Sequence, residues 1–154
     1  MKRKITVLMA TAALVAIVLI AAGYGTSASG ATAGATRVGV AKTSLGRIVV
    51  DSKGRTLYLF EKDKNRRSAC YGPCATYWPP LLSHGKPVAR PGIKQRLLGT
   101  TRRANGALQV TYAGHPLYRY FGDSRPGDTT GEGLQDFGAS WDVLSPAGRK
   151  IEAG

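Results

Sequence analysis

The chain has 154 residues, 43% of them hydrophobic, with 20 glycines, 8 prolines and a formal charge of +13. That apolar content excludes a disordered body, and the length suits one domain after any targeting segment. The positive balance directs attention to anionic partners, against the simpler reading of a solvated basic surface; the short Arg66-Arg67 and Arg102-Arg103 clusters carry no nucleic-acid motif, so nucleic acid is set aside.

Residues 1–30 read as an export signal or a membrane anchor. Lys2, Arg3 and Lys4 precede an uncharged apolar stretch over 5–22, which predicts an export helix. An Ala-x-Ala-like cleavage site follows at Ala31-Thr32-Ala33. The apolar stretch is long for a signal and short for a membrane span, so both readings stand. Either way the basic end stays inside and the body lies outside the cytoplasm. Without those three cations the charge falls to +10. Residues 31–36 are small and polar, as in a flexible linker.

The body, 37–149, is built on a repeat. Leu57-Tyr58-Leu59-Phe60-Glu61-Lys62-Asp63 returns sixty positions on as Leu117-Tyr118-Arg119-Tyr120-Phe121-Gly122-Asp123. Extended backwards without a gap, the match pairs Gly54 with Gly114, Val50 with Val110, Gly46 with Gly106 and Gly39 with Gly99. A shared spacing of this kind implies one supersecondary unit used twice. In the first copy (37–80), strands are predicted over 38–41, 47–50 and 55–60. In the second (97–149) they fall over 97–102, 107–112 and 115–121. Asn105-Gly106 is a hairpin dipeptide, because both residues tolerate positive φ. Residues 81–96, rich in Gly, Pro and Lys, connect the copies. The predicted fold is all-β: two antiparallel three-stranded meanders packed as one small sandwich or barrel-like domain.

Strand alternation puts Tyr58 and Phe60 on one face, and Tyr118 and Tyr120 likewise. Leu57 and Leu59 take the other, and Arg119 makes that face wetter in the second copy. The aromatic residues are expected in the core, with a ligand-stacking platform as the alternative. Asp63 and Asp123 are expected to accept backbone N–H groups in turns; the alternative is an acidic pair doing acid–base work as in glycosidases. Irregular segments over 64–77 and 124–140 end at Trp78 and Trp141, which are expected to anchor the returning chain. A closing strand is predicted over 140–144.

The doubled Tyr-x-aromatic-x-x-Asp resembles the bacterial secreted-repeat proteins described as predicted lipoproteins with a Yx(FWY)xxD motif. Tyr58, Phe60 and Asp63 fit the first motif, and Tyr118, Tyr120 and Asp123 the second. Cys70-Tyr71-Gly72-Pro73-Cys74-Ala75 before Trp78-Pro79-Pro80, and Phe137-Gly138-Ala139-Ser140-Trp141 before Ser145-Pro146, extend the likeness over 37–149. Tyr24 stands where many relatives carry a lipidated cysteine. The resemblance implies an extracytoplasmic location and tandem repeats. That family's function is unknown, so it supplies no catalytic residues.

Cys70 and Cys74 are the only cysteines. In an exported chain a close pair predicts a disulfide, with Gly72-Pro73 supplying the bend. The competing reading is a redox or soft-metal site with His84 or His115 as a distant ligand. A zinc site lacks its second cysteine pair, a c-type haem lacks its Cys-x-x-Cys-His spacing, and no Gly-x-Ser-x-Gly elbow is present. The expectation is therefore a non-enzymatic binding or structural module, exported and associated with the cell envelope. It has no cofactor or metal, and an anionic envelope polymer or lipid surface is its partner. If the N-terminal segment is uncleaved, it touches the membrane as well.

Overall fold

The computed structural model describes residues 35–151; the predicted export segment and most of the 31–36 linker lie outside the described residues. In chain order the elements are β1 (Arg37–Thr43), β2 (Gly46–Asp51), β3 (Tyr58–Phe60), a short helix α1 (Pro73–Tyr77), β4 (Val88–Ala89), β5 (Leu98–Arg102), β6 (Leu108–Tyr112), β7 (His115–Pro116), β8 (Leu134–Asp136) and β9 (Ala139–Val143). They form three small sheets, ordered β2-β1-β4, β3-β9-β8 and β5-β6-β7. All pairings are antiparallel except β1 with β4, a parallel contact of two residue pairs. The all-β architecture is the one predicted.

The two meanders are not related by a constant shift. In the first, Val40 faces Val49 across the β1–β2 hairpin and Thr43 faces Gly46. In the second, Thr100 faces Val110, and Arg103 N–H donates to Ala107 O across a loop one residue longer. The next turn reverses the difference: Asp51 N–H donates to Arg55 O over three intervening residues, whereas Tyr112 pairs with His115 over two. The counterpart of Val110 is therefore Val49, not Val50. Leu57 N–H donates to Val49 O, as Leu117 N–H donates to Val110 O. Shifting a strand by one residue turns every side chain to the opposite face, so the gapless alignment fails over β2 and β6 while holding on either side.

Alternation along 57–60 divides the interior into two layers. Leu57, Leu59 and Leu117 point into an aliphatic cluster with Val38, Val49, Leu81, Leu98, Val110 and Leu144. Tyr58, Phe60 and Tyr118 point into an aromatic cluster with Trp78, Trp141, Val143 and the two cysteines. At the position matching Leu59, Arg119 leaves the aliphatic layer and its Nε donates to Asp51 Oδ2 at 2.8 Å.

Each meander is completed by the closing segment of the other copy. Tyr58–Phe60 pairs with Trp141–Val143 of β9, and Val49 N–H donates to Leu144 O. Reciprocally, Arg119 N–H donates to Pro79 O, Leu81 N–H to Leu117 O, and Val110 N–H to Leu81 O. The copies also touch directly, since Tyr58 and Tyr118 exchange backbone hydrogen bonds of 2.9 and 3.0 Å.

Two elements interrupt segments expected to be irregular. Pro73 opens α1 at its first turn, where a missing N–H costs nothing. β8 turns into β9 through Phe137-Gly138, with φ of 58° and 88°, the two left-handed residues that a tight hairpin demands.

Candidate functional site

The repeated motif meets itself across the molecule. Tyr58 of the first copy donates its phenol proton to Asp123 Oδ2 of the second at 2.6 Å. Tyr118 of the second donates to Asp63 Oδ2 of the first at 2.8 Å. The free oxygen of each carboxylate holds the loop that follows it. Asp63 Oδ1 accepts the Ala69 N–H at 2.7 Å, and Asp123 Oδ1 accepts the N–H and hydroxyl of Thr130 at 3.0 and 2.7 Å. Each Asp thus accepts a backbone N–H in the loop of its own copy, as expected, and in addition joins that loop to the tyrosine of the other copy.

The aromatic residues make a column with the same exchange. Trp78 and Trp141 stack at 3.9 Å between ring centroids, with planes 5° apart. Phe60 of the first copy stacks on Trp141 of the second at 4.0 Å, and Tyr120 of the second lies 4.4 Å from Trp78 of the first. Tyr58 and Tyr118 meet the two tryptophans edge-on at 5.3 and 5.1 Å. Both tryptophans are fully buried, so the column leaves no ring face for a ligand at its centre. Gly131 closes one side. A Cβ there would come within 2.8 Å of Trp78 and 3.0 Å of Tyr58, and its N–H donates to the Tyr58 hydroxyl at 3.3 Å.

Burial in this layer sets the electrostatics. It pushes both phenols up, the neighbouring carboxylates adding to the effect, so Tyr58 and Tyr118 stay neutral donors. Burial also raises the Asp63 carboxyl to about 6, although the Ala69 N–H, the Tyr118 phenol and the Arg103 charge pull the other way. At Asp51 burial opposes ionisation too, but the N–H groups of Arg55 and Lys53 and the Arg119 guanidinium outweigh it and hold the carboxyl below 3.8.

Cys70 and Cys74 form a disulfide at the edge of the aromatic layer, both buried. Beside it lies Arg103, 5% exposed, which sequence reasoning passed over as half of a surface cluster. Its guanidinium donates to Gln109 Oε1 at 2.6 Å, to Ser68 Oγ at 2.9 Å and to Cys70 O at 2.7 Å, and lies 4.4 Å over the Tyr71 ring. Ser68 Oγ is also 2.8 Å from the Tyr118 hydroxyl. With the phenol proton on Asp63, the serine donates there. A chain of polar contacts therefore runs Asp63–Tyr118–Ser68–Arg103–Gln109.

The remaining candidates stand apart. His115 is half-buried at a hairpin end, where burial lowers its pKa. Among the described residues no group of three His, Cys, Asp or Glu side chains is placed to hold a metal ion. Asp63 and Asp123 occupy separate turns, each engaged as above.

This arrangement defines a class: an all-β tandem-repeat module whose shared motif interlocks its two copies, stapled by a disulfide. Residues 39–82 and 99–145 match the family described as a secreted repeat of unknown function, and the chain belongs to that family. The secreted character of the family and the disulfide both point to an extracytoplasmic location. No curated protein and no solved structure matches the chain.

Proposed function

We propose that this protein is an extracytoplasmic, non-enzymatic binding module that associates with anionic material of the cell envelope. One observation carries the reading. The polar groups of Tyr58, Tyr118, Asp63 and Asp123 are spent on each other and on their own loops, so recognition falls to the surface, and that surface is strongly cationic. Of the nine Asp and Glu residues, Asp51 and Asp142 are buried, and Asp51 pairs with Arg55 and Arg119. Attachment through an uncleaved N-terminal segment would add membrane contact to the same role. The buried disulfide supports a staple more than a redox centre, because exchange needs an accessible sulfur.

The test is co-sedimentation of the full chain with wall polymer and with anionic vesicles across salt concentrations. Retention at low salt that falls as salt rises is expected. No retention by either material at low salt contradicts the reading.

A further inference from the structure

The geometry points to a specific binding site for an extended, phosphate-bearing polyanion on the face that carries the 64–67 turn, a proposal that rests on the anion-binding reading above. Two recesses flank this turn, one on each side of it. Arg66 and Arg96 line one, of about 430 Å³, beside Gly114. Arg67, Arg102 and Arg103 line the other, of about 520 Å³, with Ser68 and Thr101 contributing hydroxyls.

The turn is built to send its two arginines apart. Asn65 and Arg66 both take left-handed backbone, φ 52° and 62°, and Arg67 N–H donates to Lys64 O at 2.9 Å. The Arg66 stem packs over Gly114, its Cγ 3.7 Å from where a Cβ would sit. Arg66 thus faces one recess and Arg67 the next.

The second recess holds an unusual charge. Every hydrogen bond that positions Arg103 goes to a neutral acceptor. Among the described residues no carboxylate forms an ion pair with it, and Asp63 acts on it only at longer range. Burying a cation without a direct counter-charge is costly. Gln109, Ser68 and the disulfide-held Cys70 carbonyl fix this one at a recess edged by two further arginines. An oxyanion entering there supplies the missing charge, and guanidinium groups suit phosphate oxygens.

Spacing selects a polymer over a small anion. Arg96 precedes β5 and Arg102 ends it, so the recesses sit at opposite ends of a five-residue strand, roughly 15 Å apart at the usual strand rise. A single phosphate can sit in only one recess at a time; a chain of them spans both. A bilayer fits less well. Of the exposed aromatics, Tyr77, Phe121 and Phe137, which would enter an interface, line neither recess, and Tyr71, which lines the second, is covered by the Arg103 guanidinium at 4.4 Å.

The experiment measures binding of the full chain to long-chain polyphosphate, inorganic phosphate and phosphatidylglycerol vesicles as a function of salt. Three variants accompany the native protein: Arg66→Gln with Arg96→Gln, Arg67→Gln with Arg102→Gln, and the charge-matched control Lys42→Gln with Lys53→Gln. Near-UV circular dichroism checks that each is folded. Polyphosphate should bind far more tightly than inorganic phosphate. Each recess pair should weaken it at least ~10-fold and lower the log–log salt slope by about two, with the control within roughly twofold. Recess variants no weaker than the control would overturn the site while leaving a diffuse cationic surface. Vesicle binding without polyphosphate binding would overturn the polymer. Failure to bind either probe at low salt would remove the underlying reading as well.

Discussion

Trp78 and Trp141 lie face to face, 3.9 Å apart, at the end of each copy's irregular segment. They are 63 positions apart in sequence, yet each packs against the strand of the other's copy: Trp141 on Phe60 and Trp78 beside Tyr120. The pair is the point where the two copies cease to be separable. Neither meander can complete its sheet without the opposite closing segment, and neither motif can satisfy its phenol without the Asp of the opposite motif.

Trp141→Ala should therefore unsettle both copies at once. Removing a fully buried tryptophan from a stacked column costs about 3–5 kcal/mol, a large share of the roughly 5–15 kcal/mol that holds a domain of this size. Denaturant titration should show the loss in one cooperative transition. Two separated transitions would mean that the copies fold independently.

Gly131→Ala adds a single methyl where Trp78 and Tyr58 leave no room. Both neighbours are buried rings, so neither can swing aside, and overpacking of this kind costs about 1–3 kcal/mol. Gly85→Ala is the control, since nothing lies within 4 Å of its added Cβ and its φ is not left-handed. It should fall within about 0.5 kcal/mol of the native protein.

Acid should act on Asp63 and Asp51 in separate windows. The folded state raises Asp63 from 3.8 to about 6, so folding favours its protonated form. Its contribution is present below pH 3.8 and declines as pH rises to about 6, then stays level. Asp51 is lowered from 3.8, so its contribution holds above that value and is lost only as pH falls below it. Denaturation midpoints of the native protein and Asp63→Asn, compared between pH 4 and 7, should diverge in slope below pH 6. Parallel curves would show that Asp63 titrates normally.

The disulfide should act mainly on its surroundings. Cys70 and Cys74 close a ring only four residues apart in sequence, for which loop-closure entropy predicts about 2 kcal/mol. Replacing both with alanine should lower stability by that order. It should also speed amide exchange over 66–77 more than in β1, β2, β5 or β6. Uniform acceleration across the sheets would contradict a local role.

Much of the fold is legible in the residues. Alternation at 57–60 assigns the aliphatic and aromatic faces, and the turn residues mark both meanders. Periodicity says which face a side chain takes, but it does not say which strand lies alongside. In a duplicated chain every motif residue has two equivalent partners, one in its own copy and one in the other. The symmetry that reveals the repeat thus hides the exchange of Tyr58 with Asp123 and of Tyr118 with Asp63. The slip of β2 against β6 was hidden for a different reason, because an extra residue in one turn cancels a missing one in the next. The helix at Pro73–Tyr77 is too short for a period of 3.6 to show, and Arg103 looks like any surface arginine until the fold sets Cys70 and Gln109 around it.

The central claim is that the motif works between copies, and a pair of double-mutant cycles tests it most directly. Tyr58→Phe combined with Asp123→Asn should show a coupling energy of about 1–3 kcal/mol, as expected for a buried hydrogen bond to a carboxylate. Tyr58→Phe combined with Asp63→Asn, within one motif, should be additive to within about 0.5 kcal/mol. Strong coupling within the motif and none across would contradict the interlock.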